Sequence, residues 1–297
     1  MTVLRLGKVV GQLATSDTSP AALAELMVGR QTLAAERNTD HRRQDNLKLD
    51  VRNIKLADKR GGLRLRGLSL DVHGGEIVGI AGVAGNGQSE LVSVLTGTAI
   101  PDSGEVLAHG KPFPLGQPKA LPSLKIARIP EDRLKAVIGD MTVADNLVLE
   151  QLDSYTKLGH LGRKQIREHA EQMIKDFQIK ASPGDMVRTL SGGNIQKIIL
   201  ARSLGQQPEF VIAAQPTRGL DIGATEYVHH KLLEQKERGA AILLISEDLE
   251  EVMQLSDRIL VIFEGRIVGE MSAADADVQT IGALMTGASG PAPETGD

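Results

Sequence analysis

The stretch GVAGNGQSEL, residues 82–91, constrains the architecture more than any other part of the chain. Gly82 and Gly87 stand five apart, Ser89 follows, and the loop they frame lies between two contrasting segments. Before it, EIVGIAG (76–82) is apolar in the manner of a buried strand. After it, SELVSVLTG (89–97) carries apolar residues at helical spacing. Glycines let such a loop curl until several backbone N–H groups and a helix N-terminus converge, which makes a phosphate site. The pattern G-x-x-x-x-G-K-[ST] calls for lysine where this chain has Gln88. Gln88 keeps amide donors and loses the charge, and a hydrogen bond to a charged group contributes roughly 1.5–3 kcal/mol. A glycine-rich strand-to-helix turn that binds nothing has the same spacing, so the loop alone leaves both readings open.

Composition narrows the classes. There is no cysteine, so disulfides and thiolate metal sites are out of reach. Net charge is −4 and no Lys/Arg block interleaved with aromatics marks a nucleic-acid surface. The longest apolar run, AAILLI at 240–245, falls far short of the roughly 18 residues of a membrane span. With no signal peptide at its start, the chain is expected to be soluble and to reach a membrane only through a partner. His229 and His230 point about 100° apart on a helix and lack a completing ligand, so they read as packing or surface residues.

Residues 3–29, VLRLGKVVGQLATSDTSPAALAELMVG, align without a gap on residues 261–287, VIFEGRIVGEMSAADADVQTIGALMTG. Gly7 and Gly11 meet Gly265 and Gly269, and Leu26-Met27 meets Leu284-Met285. Each copy reads as strand, turn, strand and short helix, and the pairing predicts a duplication. Residues 1–35 are then expected to be the tail of a preceding unit, 36–46 a polar linker, 47–287 one whole unit, and 288–297 a disordered tail. Within the whole unit, LKLDVRNIKL and LRLRGLSLDV alternate as half-buried strands, and 163–178 is an amphipathic helix in a helical region of about 132–204. From 209 to 263 strands and helices alternate, the pattern of a parallel sheet with helical crossovers.

LSGGNIQK at 190–197 opens a further helix, IILARSL, with Ser191 in capping position and two glycines behind it. Set between the phosphate loop and AAQPTRGLD (213–221), it resembles the signature of the ATP-binding cassette (ABC) family. The resemblance covers nearly the whole chain, and its nearest shape is the second cassette of the tandem ATPase subunit of bacterial simple-sugar and nucleoside importers. It implies an α/β fold of the P-loop NTPase type, with a parallel core sheet, an antiparallel β subdomain and a small α-helical subdomain. It also implies ATP and Mg2+ as cofactors, with Gly82, Gly85, Asn86, Gly87, Gln88, Ser89 and Glu90 around the nucleotide and Ser89 as the remaining, weak magnesium ligand.

The chain departs from the family at five places. Besides Gln88, Ala214 stands for the magnesium-associated aspartate and Gln215 for the carboxylate that polarises water; Glu247 stands for a histidine, and Glu131 for the glutamine linking nucleotide to the membrane subunit. No aromatic precedes Phe113 to stack on adenine. Ser191, Gly192, Gly193, Asn194 and Gln196 keep the signature, and Asp221 keeps the loop that faces a partner cassette. Since two cassettes of this family pack head to tail, each closing its signature over the other's nucleotide, the resemblance implies a half that has kept what it gives and lost what it needs. The implied partners are a preceding cassette or a second ATP-binding subunit, transmembrane permease subunits and, indirectly, a substrate-binding lipoprotein. The implied location is peripheral, on the cytoplasmic face of a bacterial membrane, with Leu147 and Leu149 as candidate docking residues. The cargo implied by the resemblance is a nucleoside or simple sugar, with the nucleoside subgroup the more similar. The rivals are a self-sufficient ATPase, which would need Lys at 88 and a carboxylate at 215, a regulatory nucleotide-binding module without turnover, and a soluble cassette of DNA repair or translation.

Overall fold

The computed structural model describes residues 1–5, 8–15, 18, 23, 26, 43–157 and 159–288. Strands β1 (Thr2–Arg5) and β2 (Lys8–Gln12) form a hairpin, and β3 (Leu47–Ala57), β4 (Leu63–His73) and β5 (Ile77–Ala81) lead to helix α1 (Gln88–Leu95). Short β6 (Ser103–Ala108) and β7 (Lys111–Pro112) precede β8 (Ile126–Ile129). Then come α2 (Val143–Leu147), the small pair β9 (Thr156–Lys157) and β10 (His160–Leu161), α3 (Arg163–Asp176) and α4 (Gly192–Leu204). Strand and helix alternate through β11 (Phe210–Ala214), α5 (Ile222–Glu237), β12 (Ala241–Ile245), α6 (Leu249–Leu255) and β13 (Arg258–Phe263), and β14 (Arg266–Ser272) and α7 (Val278–Met285) follow.

A six-stranded sheet of order β14-β13-β5-β12-β11-β8 forms the core, parallel except for the antiparallel edge strand β14. Its central strands are buried along their whole length, as a sheet covered on both faces requires. Alternation assigns the faces. Val211 and Ala213 of β11 join Ile242 and Leu244 of β12 under α2 to α5. Phe210 and Ile212 join Leu243 and Ile245 against α1 and the antiparallel sheet β4-β3-β6-β7. Fully burying each such side chain stabilises by roughly 1.5–3 kcal/mol. Helices α2, α3 and α4 pack on one another, so a helical region does lie between β8 and β11.

The two hairpins are built alike. In β1–β2, Thr2 pairs with Gln12, Val3 with Gly11, Leu4 with Val9 and Arg5 with Lys8, with an irregularity between Val3 and Leu4. In β13–β14 the aligned residues pair identically, Leu260 with Glu270 through Phe263 with Arg266, and the irregularity falls at the aligned place, between Val261 and Ile262. A glycine under a leucine recurs as well: a Cβ on Gly11 would lie 3.3 Å from Leu26, and one on Gly269 would lie 2.7 Å from Leu284. The aligned Gly7 and Met27 lie outside the described residues.

Two expectations change. Leu147 is fully buried in the helical core, because α2 turns Val143 and Leu147 to the same face; it offers nothing to a docking partner, while Leu149 is half-buried at a cleft edge. The end of the linker is also pinned: Gln44 N–H donates to Gly74 O at 2.9 Å and Gly74 N–H to Asn46 Oδ1 at 3.1 Å. Residues 36–42 of that linker and 289–297 of the expected disordered tail lie outside the described residues.

Candidate nucleotide site

Strand β5 delivers the phosphate-loop frame to the C-terminal edge of the parallel sheet, where ligands of open α/β sheets bind. Gly85 (φ +89°) and Gly87 (φ +110°) take left-handed backbone, and at Gly87 a Cβ would sit 3.0 Å from Arg64 O. Gly87 caps α1 without any side-chain hydrogen bond, so the first-turn donors are not spent on a capping side chain. Ser89 is exposed at the helix start, and Glu90 places a carboxylate in that first turn. Asn86 is committed elsewhere: its Oδ1 accepts from Glu264 N–H and its carbonyl from Gly265 N–H, both at 2.9 Å, fastening the loop to the β13–β14 turn.

Gln88 is folded under the loop. Its amide donates to Val83 O at 3.1 Å, the residue is only 9% exposed, and its Oε1 is buried without a partner. The amide staples the loop from within and brings no charge to it, and the cations that line the same cleft are Arg128 and Arg218.

The cleft beside the loop has a volume of about 490 Å³ and gathers residues far apart in sequence, among them Gly85, Gln88, Ser89, Glu131, Ala214 and Glu247. Ala214 ends β11, buried, opposite Ile245. Gln215 turns out of the sheet at φ +47° and its Oε1 accepts from Glu247 N–H at 3.3 Å. Glu131 accepts from the Arg218 guanidinium. Backbone donors and the Ser89 hydroxyl suit a phosphate chain, so the loop fits a nucleotide. Magnesium fits less well. Ala214 supplies no oxygen, and the Gln215 carbonyl is already engaged. Among the described residues the single group of three acidic or histidine ligands within reach of one ion is Asp71, His73 and Glu76, outside this cleft, where the Arg258 guanidinium lies against Asp71 and Glu76 at 3.1 and 3.2 Å.

A second surface is formed by α4. Ser191 caps the helix with its Oγ, accepting from Asn194 N–H at 3.4 Å and Asn194 Nδ2 at 3.1 Å, and it is exposed. Gly192 and Gly193 form the first turn, and Asn194 Oδ1 accepts from Lys180 N–H at 2.9 Å. Gln196 is 3% exposed and donates to Pro216 O at 2.7 Å, so it ties the helix to the loop before Asp221 and is not offered outward, contrary to the sequence expectation. Asp221 is exposed and caps α5 through Ala224 N–H.

Three groups escaped the sequence reading. Arg133 and Arg218 bind the loops that carry Glu131 and Asp221. Glu251 is buried, accepting from Thr217 Oγ1 at 2.7 Å and lying 3.0 Å from His229 Nε2. Burial pushes the Glu251 carboxyl up, but the bonds from His229, Ser246 and Thr217 outweigh it and hold the group below the usual glutamate range.

A profile of the ABC transporter family matches residues 65–218, which include the phosphate loop, the signature and β11. The chain belongs to the ABC transporter family. Its cassette fold has close counterparts among solved structures. A nucleotide-free ATP-binding cassette of an ABC transporter superposes with a TM-score of 0.67 at 24% identity, covering 81% of this chain and 95% of that one. A bacterial ABC transporter cassette solved as a dimer gives 0.66 at 22% identity, with 76% and 98% covered. Curated ABC relatives are more similar in sequence. The guanosine import ATP-binding protein NupO of Bacillus subtilis is 42% identical, over 97% of this chain and 57% of its own length. The nucleoside import ATP-binding protein NupA of Lactococcus lactis is 39% identical with the same coverage, and the glucose import ATP-binding protein TsgD13 of Haloferax volcanii is 40% identical over 97% and 53%. This cassette chain therefore spans little more than half the length of the curated relatives it matches.

Proposed function

We propose that the chain is the second, degenerate cassette of an ABC importer's ATP-binding subunit, and that it drives uptake of a nucleoside or simple sugar by giving its signature to a partner cassette's ATP site. One observation carries the reading: an exposed, correctly capped Ser191 stands on the same domain as a cleft lacking the lysine and both carboxylates of its own phosphate chemistry. The names of the curated relatives support import, and two of the three name nucleosides. The repeated β1–β2 hairpin supports a preceding cassette: Leu4 is 62% exposed where its counterpart Ile262 is fully buried, so the hairpin has an apolar face that the rest of another cassette would cover. The degenerate loop offers ATP its backbone donors and the exposed Ser89 hydroxyl. A regulatory module without turnover would bind in the same loop but would leave Ser191 without a task.

Two experiments test this. The chain alone should release phosphate from ATP at or near background, because Gln88, Ala214 and Gln215 replace the groups that organise charge, metal and water. Brisk magnesium-dependent turnover that disappears on Ser89→Ala would contradict it. Among the described residues no helix is long and apolar enough to cross a membrane, so attachment falls to a partner. A cleft of about 420 Å³ lined by Leu121, Ile126, Leu149 and Leu152 is the proposed seat for a permease helix. Leu149→Asp with Leu152→Asp should move at least half of the full-length protein, co-expressed with its permease, into the soluble fraction; unchanged membrane retention would count against that seat.

A further inference from the structure

We propose that Arg133 is a positioning residue that locks the Glu131 loop, the Asp221 loop and the signature helix into one moving unit. A change at Glu131, in the degenerate cleft, would then be carried to the face met by a partner cassette. This rests on the paired-cassette reading above.

The guanidinium of Arg133 donates to Arg218 O at 2.6 Å and to Gly219 O at 3.1 Å. The same two loops are joined again in the reverse sense, since the Arg218 side chain donates to Glu131. A third element touches the clamp at Gly192, the first residue of α4, where a Cβ would lie 3.2 Å from Arg133 Nε and Nη2. Glycine at that place leaves room for the guanidinium beside the start of the signature. Gln196 adds a tie from the same helix to Pro216 O. Every loop residue from 216 to 219 is thus held by a side chain from the Glu131 loop, from α4 or, through Thr217, from Glu251 of α6.

Arg133 differs from an ordinary surface ion pair. The neighbouring acids are taken by others, Asp132 by Lys135 and Glu131 by Arg218, so the fork of Arg133 is spent on backbone carbonyls. A rigid planar fork fixes the direction of two carbonyls at once, whereas an ammonium fixes neither as firmly. The Glu131–Arg218 pair depends on charge and will follow what enters the cleft; the Arg133 bonds pass the displacement to the backbone beside Asp221.

The test uses the full-length protein. Hydrolysis is measured against ATP concentration for Arg133→Gln, Arg133→Lys, Glu131→Gln and the double variant Arg133→Gln/Glu131→Gln, each with its thermal midpoint. Arg133→Gln should lower kcat about tenfold with KM for ATP within twofold, since Arg133 positions Gly192 and the 216–219 loop and gives no donor of its own to the nucleotide. Arg133→Lys should fall between that variant and the unmodified protein. The double variant should be no slower than the slower single one, because both cut the same linkage. The proposal is overturned if Arg133→Gln only lowers the thermal midpoint while kcat per folded molecule is unchanged, or if the two losses multiply. Ser191→Arg run beside them separates the two levels of the account. If it hydrolyses normally, the paired-cassette reading fails; if it is inactive while Arg133→Gln is normal, only the clamp fails.

Discussion

In the full-length protein, Ser191→Arg is expected to lower ATP hydrolysis at least a hundredfold. Ser191 is exposed and its Oγ already caps α4, so the hydroxyl and the first-turn N–H groups form one preorganised set of donors. On the paired-cassette proposal this set closes over a phosphate held by the partner and not by this chain's own loop. Removing one such donor from a charge-stabilising site costs about a hundred- to a thousandfold in rate. On the same proposal, arginine also fills the space through which the partner's nucleotide approaches. Loss of the cap itself costs about 1 kcal/mol, which leaves the domain folded, so the effect is readable as phosphate release per folded molecule. A rate within twofold of the unmodified protein would remove the signature from the mechanism.

The second large effect concerns stability. Glu251→Ala should destabilise the chain by about 3 kcal/mol, the low end for breaking a buried pair, because it leaves the buried His229 Nε2 without its partner. Thr217 loses its acceptor in the same change, so the loop leading to Asp221 is loosened as well. In a domain of this size the thermal midpoint should fall by roughly 6–12 °C. The pH dependence has a definite sign. The folded carboxyl lies below the usual glutamate range, so its contribution is complete above that range and is lost as pH falls through the folded value. Glu251→Gln keeps an acceptor for Thr217 and removes the titration. The fall in thermal midpoint from neutral pH to pH 4 should therefore be smaller for this variant than for the unmodified chain. An equal fall in both would assign the acid sensitivity to other groups.

What was legible in the sequence was local. Glycine spacing, the apolar run before it and helical periodicity after it placed the phosphate loop between β5 and α1, and alternation placed the parallel strands from 209 onward. The repeat was legible because a hairpin's register follows from a few turn and apolar residues, and the structure repeats even its irregularity.

Orientation within helices and pairing across long separations were not legible. Leu147 stands in an apolar run that fits an exposed patch as well as a core, and only the packing of α2 against α3 and α4 decides. Gln196 is contiguous with the signature in sequence, yet it lies beyond the helix's first turn, where the α4 face turns inward to Pro216. Arg133 and Arg218 are 85 residues apart, and nothing in either short stretch announces the other. The inward fold of Gln88 was equally hidden, since its spacing is that of a residue facing phosphate.

That fold of Gln88 bears on the central claim, which is that this cassette's own site is silent through the joint loss of cation, metal ligand and water-polarising group rather than through one missing charge. The most direct measurement is steady-state phosphate release by full-length Gln88→Lys beside the unmodified protein. Restoring the cation alone leaves Ala214 and Gln215 in place, so the rate should stay within twofold. A severalfold rise would mean that a single charge limited the site, and the account of a silent cassette would be wrong.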